Sequence, residues 1–284
     1  MKVRRPAQAG MFYSGSNVDL RKEIEDCFKH RLGPGRPPEP KQTDLTRIVA
    51  LLCPHAGYMY SGPVAAWAYS ELAANGRPKN IVIIGPNHTG MGSAVSLMNE
   101  GSWATPLGEV RINTTLANSI LHNAPIVDVD DSAHTYEHSI EVQLPFLQYL
   151  YGGTFTFVPI CMMMQDPDTS REIGEAIAGV TDEPVSLVVA SSDMTHYEPY
   201  DIASKKDMKA IQAIENLDEK TLDRVAEADS ISICGIGPVT AAMDFSKRRG
   251  VTKAKLLSYK TSGDISGDYS SVVGYAAISF SVQS

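Results

Sequence analysis

The segment RIVALLCPHAGYMYSG, residues 47–62, carries the strongest indication of the fold. An apolar, β-branched run at 48–52 is followed by a Pro-His-Ala-Gly break, and a helical pattern continues from residue 63 to residue 73. This order predicts a buried strand, a tight loop and a helix. In parallel α/β sheets, ligands bind just outside the carboxyl ends of the strands. His55 is therefore predicted to lie at a ligand-binding edge.

Two later segments repeat this arrangement. The run NIVII at 80–84 leads into Gly-Pro-Asn-His88, and the run VSLVVA at 185–190 leads into Ser-Ser-Asp-Met-Thr-His196. If the three strands are neighbours in one sheet, their histidines converge, although a histidine after a strand also commonly bonds a nearby carbonyl as an ordinary loop residue. Since the chain has only seven histidines, we expect a shared site.

Predicted strands alternate with predicted helices over the whole chain, without an internal repeat. This alternation predicts an α/β protein with a mostly parallel or mixed central sheet. The 284 residues are enough for a full core, so we expect one domain over 1–284.

Composition excludes several classes of protein. The net charge of −8 and the pI of about 5.4 argue against nucleic acid or an anionic membrane as partner. No run of about 18 apolar residues predicts a transmembrane helix, and the start MKVRRPAQAG lacks the apolar region of a secretory signal. The four cysteines are widely spaced, without a CxxC pair, which favours reduced thiols in a cytoplasmic protein.

The first candidate site consists of His55, His88 and Cys234. Two imidazoles and a thiolate suit zinc, copper or iron, and three protein ligands with an open fourth position are typical of a catalytic metal. Cys234 precedes a predicted helix, whose N-terminus favours a thiolate. The alternative is that Cys234 is a small packing residue.

A second candidate pair is Asp193 and His196. The two share a face if the turn after the strand is helical, and the aspartate then orients the imidazole as a general base or proton shuttle. Asp193 is equally expected as a helix cap.

The third candidate is the run HTYEH, residues 134–138, which matches H-x-x-E-H. A helix is predicted over residues 137–151, with Pro145 as the position where it kinks or restarts. On a helix, His134 and His138 would bind zinc, with Glu137 as the base of a peptidase. Alternatively, Glu137 and His138 are supporting or basic groups in the same cleft as the other histidines. A nucleophilic hydrolase that uses Cys234 with a histidine and an aspartate is also conceivable.

The chain resembles the Memo family, the mediator of cell motility proteins, in seven ordered motifs that extend from the first ten to the last ten residues. These motifs are A-G-x-x-Y (9–13), P-H-A-G-Y (54–58), G-P-x-H (85–88), E-H-S-I-E (137–141), S-S-D-x-x-H (191–196), C-G-x-x-P (234–238) and D-Y-S-S-V-x-x-Y-A (268–276). The resemblance implies a three-layer α/β/α fold similar to that of class III extradiol ring-cleavage dioxygenases.

The resemblance also implies a metal pocket formed by His55, His88 and Cys234, with Asp193 and His196 on its wall. The dioxygenases bind iron(II) with two histidines and a carboxylate, and Cys234 stands where the carboxylate is expected. A thiolate is a softer, oxidisable ligand that also binds copper or zinc well. Iron or copper is therefore the expected metal, with zinc as the alternative.

From these observations we expect a cytoplasmic metal-dependent enzyme, oxidoreductase-like, that acts on a small molecule or peptide in the cleft. His196, oriented by Asp193, would move protons, and Glu137 or His138 would position the substrate. The alternatives are a non-catalytic module that binds a ligand or peptide, and a zinc-dependent hydrolase. A surface around Trp103 and the glycine loop at 262–270 is the candidate contact of a homo-oligomer.

Overall fold

The computed structural model describes residues 2–180 and 187–283. The strands within these residues are β1 (Val3–Arg4), β2 (Ile48–Cys53), β3 (Asn80–Pro86), β4 (Val95–Leu97), β5 (Ser102–Thr105), β6 (Gly108–Arg111), β7 (Val127–Val129), β8 (Thr156–Met162), β9 (Leu187–Ser191), β10 (His196–Glu198), β11 (Ala254–Thr261) and β12 (Val272–Ser281). The helices are α1 (Asn17–Lys29), α2 (Tyr58–Asn75), α3 (Thr114–Asn123), α4 (Leu144–Tyr151), α5 (Pro167–Ala178), α6 (Tyr200–Glu215), α7 (Glu219–Ala228), α8 (Ile236–Arg248) and α9 (Gly263–Ser266).

The main sheet has the strand order β10-β12-β2-β9-β3-β8-β4-β7, and β11 pairs with β12. Its centre, β2-β9-β3-β8, is parallel, whereas β12 and β4 flank it in the antiparallel sense. The three predicted apolar runs are thus neighbouring strands, as expected. The first two residues of the third run, 185 and 186, lie outside the described residues.

Helices cover both faces of this sheet, and each face has its own apolar cluster. The helices α1, α2 and α4 pack on one face, and α3, α5, α6, α7 and α8 pack on the other. The predicted α/β class, with three layers and a mixed sheet, is confirmed. Helix α2 begins at Tyr58, five residues earlier than predicted, and Gly62 lets it approach α1, because a Cβ there would lie 2.4 Å from Cys27 Sγ. None of the helices in the described ranges is long and apolar enough to cross a membrane.

An N-terminal strap, residues 3–13, is fixed to the body by the buried carboxylate of Glu141. This carboxylate accepts hydrogen bonds from four donors of the strap: the Arg4 guanidinium at 2.5 Å, the backbone N–H groups of Ala7 and Gln8 at 2.9 Å each, and the Tyr13 hydroxyl at 2.6 Å. Because four donors that are far from Glu141 in sequence bind its carboxylate, the strap has a fixed position on the surface of the domain.

Two sequence predictions about secondary structure are wrong. The helix expected from residue 137 to residue 151 begins only at Leu144, and the chain before it forms two short 3₁₀ turns, Ser132–His134 and Glu141–Gln143. Trp103, expected in an exposed loop, lies in β5, is fully buried and is paired with Val110. It therefore cannot provide the apolar surface of a subunit contact.

Candidate metal site

Three histidines meet at the carboxyl edge of the parallel strands. His55 lies two residues beyond β2, His88 lies two residues beyond β3, and His138 comes from the irregular segment before α4. One ring nitrogen from each lies within 4.8 Å of the others, so that the three could hold a metal ion. The ring centroids are 5.2 Å apart for His55 and each of its two neighbours, and 4.5 Å apart for His88 and His138.

The hydrogen bonds of His55 determine which of its nitrogens is protonated. Its Nδ1 lies 2.9 Å from Ser191 Oγ, which donates its one proton to the Ser139 carbonyl at 2.6 Å and accepts from Gln143 Nε2 at 2.8 Å. Ser191 therefore accepts from His55 Nδ1–H. Nε2 is then the unprotonated nitrogen, which is the form that binds a metal.

Glu137 plays the same part for the other two histidines. Its carboxylate accepts from the His88 backbone N–H at 2.6 Å and faces His88 Nδ1 at 2.9 Å and His138 Nδ1 at 3.2 Å. Burial alone would raise the pKa of Glu137, but the hydrogen bond from His88 and the neighbouring imidazoles lower it to about 2. An ionised carboxylate next to the Nδ1 atoms of two imidazoles favours the tautomer in which Nδ1 is protonated and Nε2 is unprotonated.

Two of the three imidazoles are held neutral. Burial lowers the pKa of His55 well below its usual value, and His138 and His88 add to this effect. Burial also lowers the pKa of His138 to about 4, against the attraction of Glu137. Because metal binding requires the neutral ring, these two ligands need no deprotonation at neutral pH.

Cys234 borders this cluster without belonging to the three-histidine group. Its Sγ lies 3.2 Å from His55 Nε2 and accepts the Asp193 backbone N–H at 3.2 Å. The residue stands one position before Gly235, the N-cap of α8, and burial raises the pKa of its thiol. Burial thus favours the neutral thiol over the predicted thiolate in the metal-free protein.

Asp193 and His196 are both at the edge, but they do not form the predicted pair. Asp193 Oδ1 accepts the His55 backbone N–H at 2.8 Å. His196 begins β10, and its Nδ1 lies 2.9 Å from the Ser232 carbonyl, so this nitrogen carries the proton. No hydrogen bond in the described chain joins the two side chains, because the turn between them is not helical.

His134 lies outside the cluster. Its ring is fully buried, packs edge-on against Trp103 with centroids 5.5 Å apart, and has no hydrogen-bond partner among the described residues. His134 and His138 do not share a helix, so the zinc peptidase interpretation of H-x-x-E-H loses the geometry that it required. Sequence reasoning also missed Ser191 and Gln143, although the predicted pairing of β2 with β9 places Ser191 opposite Cys53.

Fold and site together define an α/β protein with a three-histidine cluster that could bind a metal ion at the edge of its sheet. The sequence model of a family described as "Memo-like protein" matches residues 4–279. A MEMO1 family protein of Methanopyrus kandleri is 52% identical over 279 residues, which cover 98% of both chains, and one of Ignicoccus hospitalis is 49% identical over 284 residues, which cover 99% of both. The chain belongs to the Memo family.

A solved structure supports the fold independently. The crystal structure of an uncharacterized protein from Escherichia coli K12 superimposes with a TM-score of 0.53, covering 82% of this chain and 99% of that one. At 16% identity, this similarity concerns the fold alone.

Proposed function

We propose that this Memo family protein is a metal-dependent enzyme of the oxidoreductase type, with iron or copper held by His55, His88 and His138. The observation that carries the proposal is the protonation pattern of the cluster. A serine or a carboxylate faces each Nδ1, which leaves Nε2 of each ring unprotonated and able to bind a metal ion. Neutral imidazoles suit iron, copper and zinc, and a thiol next to them adds a soft donor that favours copper or zinc.

Cys234 is proposed as a fourth ligand. Its Sγ lies 3.2 Å from His55 Nε2, so a metal bound to that nitrogen comes within reach of the sulfur after a small adjustment. The metal would supply Lewis acidity and, if it is iron or copper, one-electron chemistry. Zinc would limit the site to hydrolytic or Lewis-acid roles.

The remaining residues at this edge are proposed to bind and orient. Glu137 holds His88 and His138 in place. Asp193 fixes the loop of His55 by accepting a hydrogen bond from the His55 backbone N–H. His196 has its Nδ1 proton on a carbonyl, so its Nε2 is the nitrogen that can accept a proton from a bound ligand. Free thiols and the acidic charge fit a cytoplasmic protein with a small-molecule or peptide ligand.

Elemental mass spectrometry on anaerobically purified protein tests the proposal. We expect about one iron or copper ion per chain in the wild type and its loss in His55→Ala, His88→Ala and His138→Ala. His122→Ala, an exposed histidine on α3, is the matched control and keeps the metal.

Each outcome has a definite meaning. Zinc in place of iron or copper would favour the hydrolytic alternative. Equal metal content in the cluster variants and in the wild type would refute the site. A protein that binds no metal even after reconstitution would leave the non-catalytic binding module as the better description.

A further inference from the structure

Tyr275 lies in β12, the last strand, at the same end of the sheet as the histidine cluster. In the antiparallel pairing of β12 with β2, Ile278 is opposite Leu52, and continuing this register places Tyr275 level with His55. Tyr275 belongs to the same apolar cluster as Cys53, on the α1 and α2 face. The tyrosine side chain therefore extends along the face of the sheet on which His55 follows β2.

The hydroxyl of Tyr275 has no protein partner. The residue is only 2% exposed, yet its hydroxyl forms no hydrogen bond within the described residues. The hydroxyl oxygen is not fully buried, so the small exposed part of the residue includes the hydroxyl. A buried tyrosine normally finds a partner for its O–H group, which makes an unpaired hydroxyl that reaches the surface a candidate ligand contact.

The chain next to Tyr275 is bonded to the segment that follows Asp193: the Met194 N–H donates to the Gly274 carbonyl at 2.8 Å, and the Gly274 N–H donates to the Thr195 carbonyl at 2.9 Å. Burial raises the pKa of Tyr275, and Asp193, Tyr60 and Tyr197 raise it further as electrostatic neighbours. The hydroxyl thus stays protonated and can donate a hydrogen bond. Asp193, which bonds the His55 backbone, offers acceptor oxygens in the same region.

Tyr197 adds a second sign of a binding site. It is 78% exposed and has a φ of 59°, which is a left-handed conformation that bulky side chains rarely adopt. Its ring contacts that of His196, with centroids 5.8 Å apart. Backbone strain of this kind persists where the surrounding structure holds it, and it is concentrated at ligand-binding positions.

We infer that Tyr275 and Asp193 form a subsite for an uncharged polar group of the ligand, a hydroxyl or a primary amide. Such a group accepts a hydrogen bond from the Tyr275 hydroxyl and donates one to the Asp193 carboxylate. A carboxylate on the ligand has no proton to donate to the Asp193 oxygens, and an ammonium group would meet the proposed metal ion. The inference deepens the proposed function. It rests on that proposal in one respect, because the proposed metal ion is what keeps cationic ligands out of the subsite.

Nuclear magnetic resonance of protein labelled with ¹³C at tyrosine Cζ tests the subsite. The Tyr275 signal is assigned by its loss in Tyr275→Phe. The probes are benzyl alcohol, benzamide, benzoate and benzylamine, which share one ring and differ in the polar group. Affinities are read from the Tyr60 and Tyr197 signals, which remain in both proteins, and Tyr149→Phe serves as the control for losing a hydroxyl elsewhere.

We expect benzyl alcohol and benzamide to shift the Tyr275 signal and to bind about 3- to 10-fold more weakly to Tyr275→Phe, the effect of one neutral hydrogen bond. Tyr149→Phe should match the wild type. The thermal midpoint of Tyr275→Phe should stay at the wild-type value, because the hydroxyl has no protein partner to lose. A purely structural role would lower this midpoint and leave the probe affinities unchanged.

Equal affinity of the uncharged probes for wild type and Tyr275→Phe would overturn the inference, as would tighter binding of benzoate than of benzamide. Failure of all four probes to bind the wild type, with metal or without, would overturn it as well. Metal content, measured on the same samples, separates the two proposals. A protein without metal that still shows Tyr275-dependent binding of benzyl alcohol would refute the metal site and retain the subsite.

Discussion

Replacing Glu137 with glutamine should weaken metal binding while leaving the protein folded. The two side chains have nearly the same shape, but the amide can accept at only one of the two carboxylate positions. Oε1 receives the backbone N–H groups of His138 and Ser139 at 2.9 Å each and faces His88 Nδ1 at 2.9 Å, whereas Oε2 receives the His88 N–H at 2.6 Å. In its best orientation the glutamine places its amide oxygen at the Oε1 position. Its NH₂ group then takes the Oε2 position and faces the His88 backbone N–H, donor against donor.

The magnitude follows from this count of contacts. One buried, charge-assisted hydrogen bond is lost, which costs about 1.5–3 kcal/mol of folding stability, and the bonds at Oε1 lose their ionic character. His88 and His138 lose the group that orients both rings. Removing such a supporting group typically lowers metal affinity about 10- to 100-fold.

Competition of the protein with a chromophoric chelator gives the metal affinity, and urea unfolding of the metal-free protein gives its stability. Glu141→Gln is the matched control, since Glu141 is equally buried but forms no hydrogen bond with the three histidines in the described chain. The control should lose stability and keep metal affinity within about threefold, roughly 0.6 kcal/mol. Wild-type affinity in folded Glu137→Gln would refute the assignment of Glu137 as the support of the site.

Three further predictions follow from other buried groups. Glu141→Gln should lower the free energy of unfolding by about 3–5 kcal/mol, because the Arg4 guanidinium loses its buried ionic partner. A loss below about 1 kcal/mol in urea unfolding would contradict the role of Glu141 in fixing the strap. Burial lowers the pKa of His134 to about 3, so this residue stabilises the fold above its usual pKa, and that contribution is lost as the pH falls from about 6.5 toward 3. At pH 5 the loss is about 2 kcal/mol, and His134→Leu should flatten the acid side of the stability curve, whereas His122→Leu should not. Metal binding should release about one proton if the Cys234 thiol becomes a ligand, since burial raises its pKa in the metal-free protein. Calorimetry in buffers of different ionisation enthalpy counts that proton. Cys234→Ser should abolish its release.

The sequence predicted the edge of the sheet well because the relevant signals are local. An apolar run that ends in Pro-His or Gly-Pro-Asn-His indicates a strand and the loop at its end, and three such runs indicate neighbours in a parallel sheet. The structure agrees for His55, His88 and Asp193, each within two residues of a strand end.

His138 was expected in the same cleft as the other histidines, but its segment was wrongly predicted to be helical. The Glu137 carboxylate accepts the N–H groups of His138 and Ser139, the two residues that follow it. Side-chain bonds of this kind compete with helical backbone bonds and keep this segment irregular. Pro145 then lies in the first turn of α4, where a proline is tolerated, so the helix starts there instead of being kinked. Periodicity does not report such a bond, and it placed His138 in the wrong element.

The same carboxylate explains why the cluster forms around these three histidines. Glu137 binds the backbone of the His88 loop and of its own segment, so one buried charge joins two parts of the chain that are 49 residues apart. In the metal-free protein that charge receives hydrogen bonds from the N–H groups of His88, His138 and Ser139, while burial holds the pKa of His138 at about 4. A divalent ion between the rings would give Glu137 an opposite charge nearby, at a distance set by the imidazoles. The negative charge that offsets part of the ion's charge would then lie behind the imidazoles and not at the centre of the site.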